Sequence, residues 1–243
     1  MLEIGPGQGA LTRILAERGR GEGGRGSARV VAIEKDRELA ALVGSTLTEV
    51  RVITGDALEL DWHSVAWAQP GEALFVVGNI PYNITSPLVA KALAPPRPER
   101  IVFLMQDEVA DRISAPPGVA AYGALSVGVQ AVARVEKLFR VPAGAFHPKP
   151  KVDSAAVRLT PLERPAIEDA LTDSFRRFVV GLFGLRRKQL GRGLRELTGL
   201  PQERVIRLLT DMGIDPTLRP ERLTPGEFVR LHRGLIDAGG RAE

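Results

Sequence analysis

Along residues 1–160, short apolar runs alternate with stretches in which apolar residues recur every three or four positions. The runs Leu2–Ile4, Val30–Glu34, Val50–Thr54, Leu74–Gly78 and Ile101–Met105 are rich in Val, Ile, Leu or Phe. Such runs predict strands covered on both faces, as in parallel sheets. Between them, Leu11–Arg18 and Arg37–Leu47 have the spacing of amphipathic helices. The alternation predicts a doubly wound α/β sheet. Two further strands, near Val135–Val141 and Val152–Leu159, follow one another without an intervening helical pattern, which predicts an antiparallel pair closing one edge.

The pattern changes after a Pro-containing linker at 160–166. From about Glu168 onward it is helical throughout, with Phe175, Phe178, Val179 and Leu182 on one face. Pro201 suits a helix start and Gly213 a helix end. Thr224-Pro225-Gly226-Glu227 reads as a capping box. The expected organisation is an α/β domain over 1–163 and a small all-helical domain over 164–243. The Gly- and Arg-rich stretch 19–26 reads as a loop between the first helix and the second strand.

Charge sharpens that division. Residues 1–163 carry 18 Lys/Arg and 18 Asp/Glu, whereas 164–243 carry 15 and 11, so the whole net charge of +4 lies in the helical part. Seven basic residues and no acidic one fall between Arg176 and Arg195. A polyanion partner fits such a run, and so does a solvated helix face. Arg186, Arg187, Lys188 and Arg192 are the candidate contacts to a polyanion. The chain has no cysteine and 3 histidines, so no metal is expected. No apolar run is long enough for a membrane span and no signal peptide is evident, so a cytoplasmic location is expected; a monomer is expected as well.

Four motifs carry chemistry. Glu3-Ile4-Gly5-Pro6-Gly7-Gln8-Gly9 follows a strand and opens a helix, where glycines let the backbone approach a ligand. The same residues also fit a dinucleotide-binding pattern. Glu34 ends the second strand, where a carboxylate can accept from ribose hydroxyls or stand as a surface charge. Gly55-Asp56-Ala57 follows the third strand; it is a common turn, and also a place for a carboxylate and a backbone donor against an adenine ring. Asn79-Ile80-Pro81-Tyr82 follows the fourth strand. Adenine's amine is a poor nucleophile because its lone pair is delocalised into the ring. The Asn79 side-chain oxygen and the Ile80 carbonyl can hold its two hydrogens, Pro81 stiffens the loop, and Tyr82 offers a π-face. An ordinary turn with a core tyrosine is the alternative.

With these motifs the chain resembles the ribosomal RNA adenine dimethyltransferases, and most of all the bacterial 16S type. The resemblance runs from Leu2 to about Leu235. It includes Gln106-Asp107-Glu108-Val109-Ala110, Tyr122-Gly123-x-Leu125, Phe146-His147-Pro148-Lys149-Pro150-Lys151-Val152-Asp153-Ser154, Arg186-Arg187-Lys188 and Gly213-Ile214-Asp215. It implies a seven-stranded Rossmann-like class I methyltransferase fold with a small helical C-terminal domain. It implies S-adenosylmethionine as cofactor, at Glu3, Gly5, Gly7, Glu34, Lys35, Asp56, Ala57 and Asn79. It implies Phe146 stacked on the target base opposite Tyr82, and transfer of methyl groups to N6 of two adjacent adenosines near the 3′ end of 16S rRNA. A 23S rRNA adenine N6-methyltransferase and a non-catalytic RNA-binding assembly factor are the competing expectations. Members of the family begin several dozen residues earlier, with a basic segment containing Gln-x-Phe-Leu, so an N-terminally truncated or misassigned start is expected.

Overall fold

In a computed structural model, residues 1–19, 29–66 and 72–239 are described. Apart from Gly19, the loop read at 19–26 lies outside them. Seven strands form one sheet: β1 (Leu2–Ile4), β2 (Val31–Glu34), β3 (Arg51–Thr54), β4 (Phe75–Asn79), β5 (Arg100–Gln106), β6 (Ala133–Val141) and β7 (Ser154–Pro161). Their order is β3-β2-β1-β4-β5-β7-β6. The first five are parallel, and β7 runs antiparallel to β5. Helices among the described residues are α1 (Ala10–Gly19), α2 (Arg37–Thr46), α3 (Trp62–Ala66), α4 (Thr85–Ala92), α5 (Asp107–Ser114), α6 (Ala124–Gln130), α7 (Thr172–Gly184), α8 (Leu190–Thr198), α9 (Gln202–Asp211) and α10 (Pro225–Asp237). None is long and apolar enough to cross a membrane.

The order places β1 between β2 and β4, where the winding of the sheet reverses. Ligands of open α/β sheets bind in the crevice outside the carboxyl ends of the strands at such a point. Gly5 and Asn79 stand there, at the ends of β1 and β4. The two strands pair with Ile4 opposite Gly78, and a Cβ on Gly78 would sit 2.6 Å from the Ile4 carbonyl oxygen. Only glycine allows that approach. Leu2, Val76, Ile101, Phe103 and Val157 are fully buried in the sheet, which explains why the strands read as continuous apolar runs.

By compactness the chain divides into Met1–Ala110 with Glu136–Pro161, and Asp111–Val135 with Leu162–Glu243. This differs from a boundary at 163, because residues 111–135 join the helical unit. Gln130 Nε2 donates to the Ile113 and Ala115 carbonyls at 2.9 Å, Leu162 N–H to Val132 O and Ala166 N–H to Ala131 O, each at 2.9 Å. The residues read as a linker are thus pinned to the segment after α6. In the same unit Phe183 stacks on Phe228 with ring centres 5.5 Å apart, and the Tyr122 hydroxyl donates to Leu223 O at 2.8 Å. The box at Thr224 closes: Glu227 N–H donates to Thr224 Oγ1 at 3.2 Å, and Thr224 N–H to Glu227 Oε2 at 2.7 Å.

His232 lies in this core between Phe175 and Phe178, fully buried, and neither ring nitrogen has a hydrogen-bond partner among the described residues. Burial holds its imidazole below the ordinary value; Arg233 adds to this and Glu168 opposes it. In the unfolded chain the ring takes a proton near pH 6.5. Below that pH the unfolded state binds more protons than the folded one, so stability falls as pH drops. Replacing His232 with leucine removes both the titration and the unsatisfied nitrogens. Thermal unfolding of the variant should change less between pH 7 and pH 5 than that of the wild type; parallel curves would show that His232 is not the titrating group.

Candidate cofactor and base site

The loop after β1 turns through Gly5, Gly7 and Gly9, with φ of 68°, 56° and 83°. These values lie in the left-handed region that residues with a Cβ avoid. A Cβ on Gly7 would meet nothing within 4 Å, so the loop faces open space there. The carboxylate of Glu34, at the end of β2, is buried beneath it. Its Oε2 accepts from Gly7 N–H and its Oε1 from Asp36 N–H, both at 3.0 Å. Glu34 therefore shapes the glycine loop, a role its position alone did not reveal. Each oxygen keeps a second lone pair for a ligand hydroxyl.

Glu3, inside β1, is 1% exposed, and its Oε2 has no hydrogen-bond partner among the described residues. Burial pushes its carboxyl above the ordinary range; the Thr12 hydroxyl opposes the rise and Glu34 adds to it. After β3, Asp56 Oδ1 accepts from Leu58 N–H and Oδ2 from Lys35 Nζ, each at 2.8 Å. The Lys35 ammonium first, then the Leu58 amide, holds the Asp56 carboxyl below its ordinary value, so the turn presents an ionised acceptor. Lys35 gives one of its three N–H donors to Asp56. Trp62 Nε1 donates to Ala57 O at 2.8 Å and fixes the turn from below.

Asn79 is exposed at the end of β4, and its side-chain amide makes no hydrogen bond within the described residues. The next residue, Ile80, is buried and donates its N–H to Leu104 O at 2.9 Å. The Asn79 carbonyl would lie 3.7 Å from a Cβ on Gly5, so the two loops adjoin. Pro81 has φ −55° and leads into a single 3₁₀ turn over Tyr82–Ile84. The half-buried Tyr82 ring ends in a 2.9 Å hydrogen bond with Ser154 Oγ. Phe146, also half-buried, lies in the loop between β6 and β7. Asp153 closes that loop by accepting from Ala143 N–H at 2.8 Å and pairing with Arg140 at 2.8 Å.

S-adenosylmethionine fits these residues. Its ribose hydroxyls, adenine amine and ammonium are donors; Glu34, Asp56 and the orphaned Glu3 oxygen are acceptors. Its carboxylate suits the start of α1, where unpaired N–H groups carry positive charge. Of the basic candidates, Arg186, Arg187 and Arg192 are exposed, whereas Lys188 is half-buried and bonded to Glu196. Sequence reasoning assigned no role to Gly78 or Ser154. A glycine ending a β-run is a signal of close backbone approach; the signal for Ser154 was its place at the end of the Phe146–Ser154 motif.

The model of the family "Ribosomal RNA adenine dimethylase" matches residues 1–236. A ribosomal RNA small subunit methyltransferase A from Geobacter metallireducens is 38% identical over 99% of this chain and 86% of its own. One from Bacillus mycoides is 40% identical over 97% and 81%. The crystal structure of a dimethyladenosine transferase from Plasmodium falciparum shares the fold, with TM-score 0.81 over 98% of this chain and 90% of that one, at 24% identity. That of the 23S rRNA methyltransferase ErmE has TM-score 0.69 at 28% identity, over 97% and 90%. The chain therefore belongs to the ribosomal RNA adenine dimethylase family of S-adenosylmethionine-dependent methyltransferases.

Proposed function

We propose that this chain transfers methyl groups from S-adenosylmethionine to N6 of two adjacent adenosines near the 3′ end of 16S rRNA. The observation that carries this reading is the adjacency of the Asn79–Tyr82 loop to the glycine loop at the sheet's switch point. The similarity to small subunit methyltransferases supports the choice of RNA.

Bound in the cradle, the cofactor supplies an electrophilic methyl group on a sulfonium that departs as a neutral thioether. The protein's part is to hold the amine. The Asn79 side-chain oxygen and the Ile80 carbonyl accept the two N–H hydrogens, drawing the nitrogen lone pair out of the ring. As the nitrogen attacks it gains positive charge, and the same two oxygens stabilise that charge. Tyr82 and Phe146 clamp the ring faces, which fixes the direction of attack. Once methylated, the cationic nitrogen is strongly acidic and gives its extra proton to solvent, so no strong general base is required.

Labelled methyl transfer to purified small subunits and to large-subunit RNA tests the reading. Label should enter the small subunits; label confined to large-subunit RNA would overturn it. The exposed Arg186 and Arg187 are assigned to RNA phosphates. Replacing both with alanine should reduce the slope of log affinity against log salt by roughly 0.7–0.9 per lost contact. Lys188→Ala should do less, because Glu196 already neutralises that ammonium. An unchanged slope in the double variant would remove both arginines from the phosphate contacts.

A further inference from the structure

We infer that Ser154 is a positioning residue for methyl transfer: its hydroxyl fixes the angle at which the Tyr82 ring meets the target base. The inference rests on the base-binding reading of Tyr82 given above. A tyrosine ring hangs from two soft torsions, and a stacking face must be held within about 10–20° to aim a nucleophile. Tyr82 springs from a single 3₁₀ turn, which leaves its tip to be fixed by something else. The 2.9 Å bond to Ser154, 72 residues away in the chain, does this.

The anchor is itself immobile. Ser154 is 1% exposed and is the first residue of β7, paired with Gln106 of β5. The residue before it, Asp153, accepts from Asp107 N–H at 3.0 Å through its carbonyl. Its two carboxylate oxygens take Ala143 N–H and Arg140, each at 2.8 Å. The dipeptide Asp153-Ser154 thus braces the Phe146 loop on one side and the Tyr82 ring on the other. Because the Tyr82 hydroxyl is engaged by Ser154, the ring offers the base a face rather than a polar contact. Loss of that hydroxyl should then act like loss of the serine, and unlike loss of the ring.

Single-turnover methyl transfer to small subunits, with cofactor and subunit affinities measured alongside, tests this on the full chain with Ser154→Ala, Ser154→Thr, Tyr82→Phe, Tyr82→Ala and the double variant Ser154→Ala/Tyr82→Phe. Ser154→Ala and Tyr82→Phe should each slow the transfer step about tenfold with both affinities unchanged. The double variant should lose no more than either single one, as residues acting through one bond do, and Ser154→Thr should restore most of the rate. Tyr82→Phe keeps every carbon in place, so it reads the bond even if Ser154→Ala fails to fold. A wild-type rate in Ser154→Ala or Tyr82→Phe, or losses that multiply in the double variant, overturns the assignment while a slow Tyr82→Ala leaves the base reading intact. A wild-type rate in Tyr82→Ala overturns both.

Discussion

Asn79→Ala should lower the rate of methyl transfer by about 10²–10³-fold while leaving RNA affinity near that of the wild type. The backbone here does the structural work: Asn79 pairs with Leu104 across β4 and β5, and Ile80 N–H reaches Leu104 O at 2.9 Å. Alanine keeps both. The Asn79 amide has no partner within the described residues, so truncation leaves no buried group unsatisfied. On the proposed reading, what is lost is one of two acceptors on the amine, whose effect is largest as charge develops. Single-turnover transfer with saturating cofactor reads it. Turnover within a few fold of the wild type would place activation of the amine elsewhere.

Gly78→Ala should be the most damaging single methyl group added to the sheet. The new Cβ would meet the Ile4 carbonyl oxygen at 2.6 Å and the Ile4 Cβ at 3.2 Å, in the β1–β4 pair at the centre of the sheet. Two hydrogen-bonded backbones cannot rotate away, so the cost lies at or above the upper end of the 1–3 kcal/mol typical of overpacking, about 3 kcal/mol. Gly55 makes the contrast. A Cβ there meets Leu60 Cδ1 at 2.8 Å, the far end of a side chain that can turn. Urea unfolding should therefore show Gly78→Ala far weaker than Gly55→Ala, with methyl transfer impaired as well because Asn79 is the next residue. Equal midpoints for the two would refute the rigid-backbone account.

The strands of the first half were legible because burial on both faces writes itself as an apolar run. β1 matches its run, and β2 and β3 begin one residue later than read. The glycine loop, the Asp56 turn and the Asn79 loop were legible because each is local, and parallel topology brings their strand ends together. The helical unit was placed less well. Residues 111–135 offer a turn and an apolar stretch, which do not say which core they join; hydrogen bonds from Gln130, Leu162 and Ala166 decide it. The bonds from Glu34 to Gly7 and from Tyr82 to Ser154 span 27 and 72 residues. No periodicity records a contact at such separations. The loss of Lys188 to Glu196 is hidden likewise, because the basic run ends one residue before its partner.

The cradle proposed for the methyl donor uses residues before position 80, on four adjoining strand ends. The proposed grip on the acceptor combines Asn79, Ile80 and Tyr82 with a second wall and a brace from the segment around 143–154, and the exposed arginines come from another stretch again. Which RNA is docked can therefore change at the arginines without altering the residues proposed for the donor, whereas the grip on the base cannot, because Asn79 serves both.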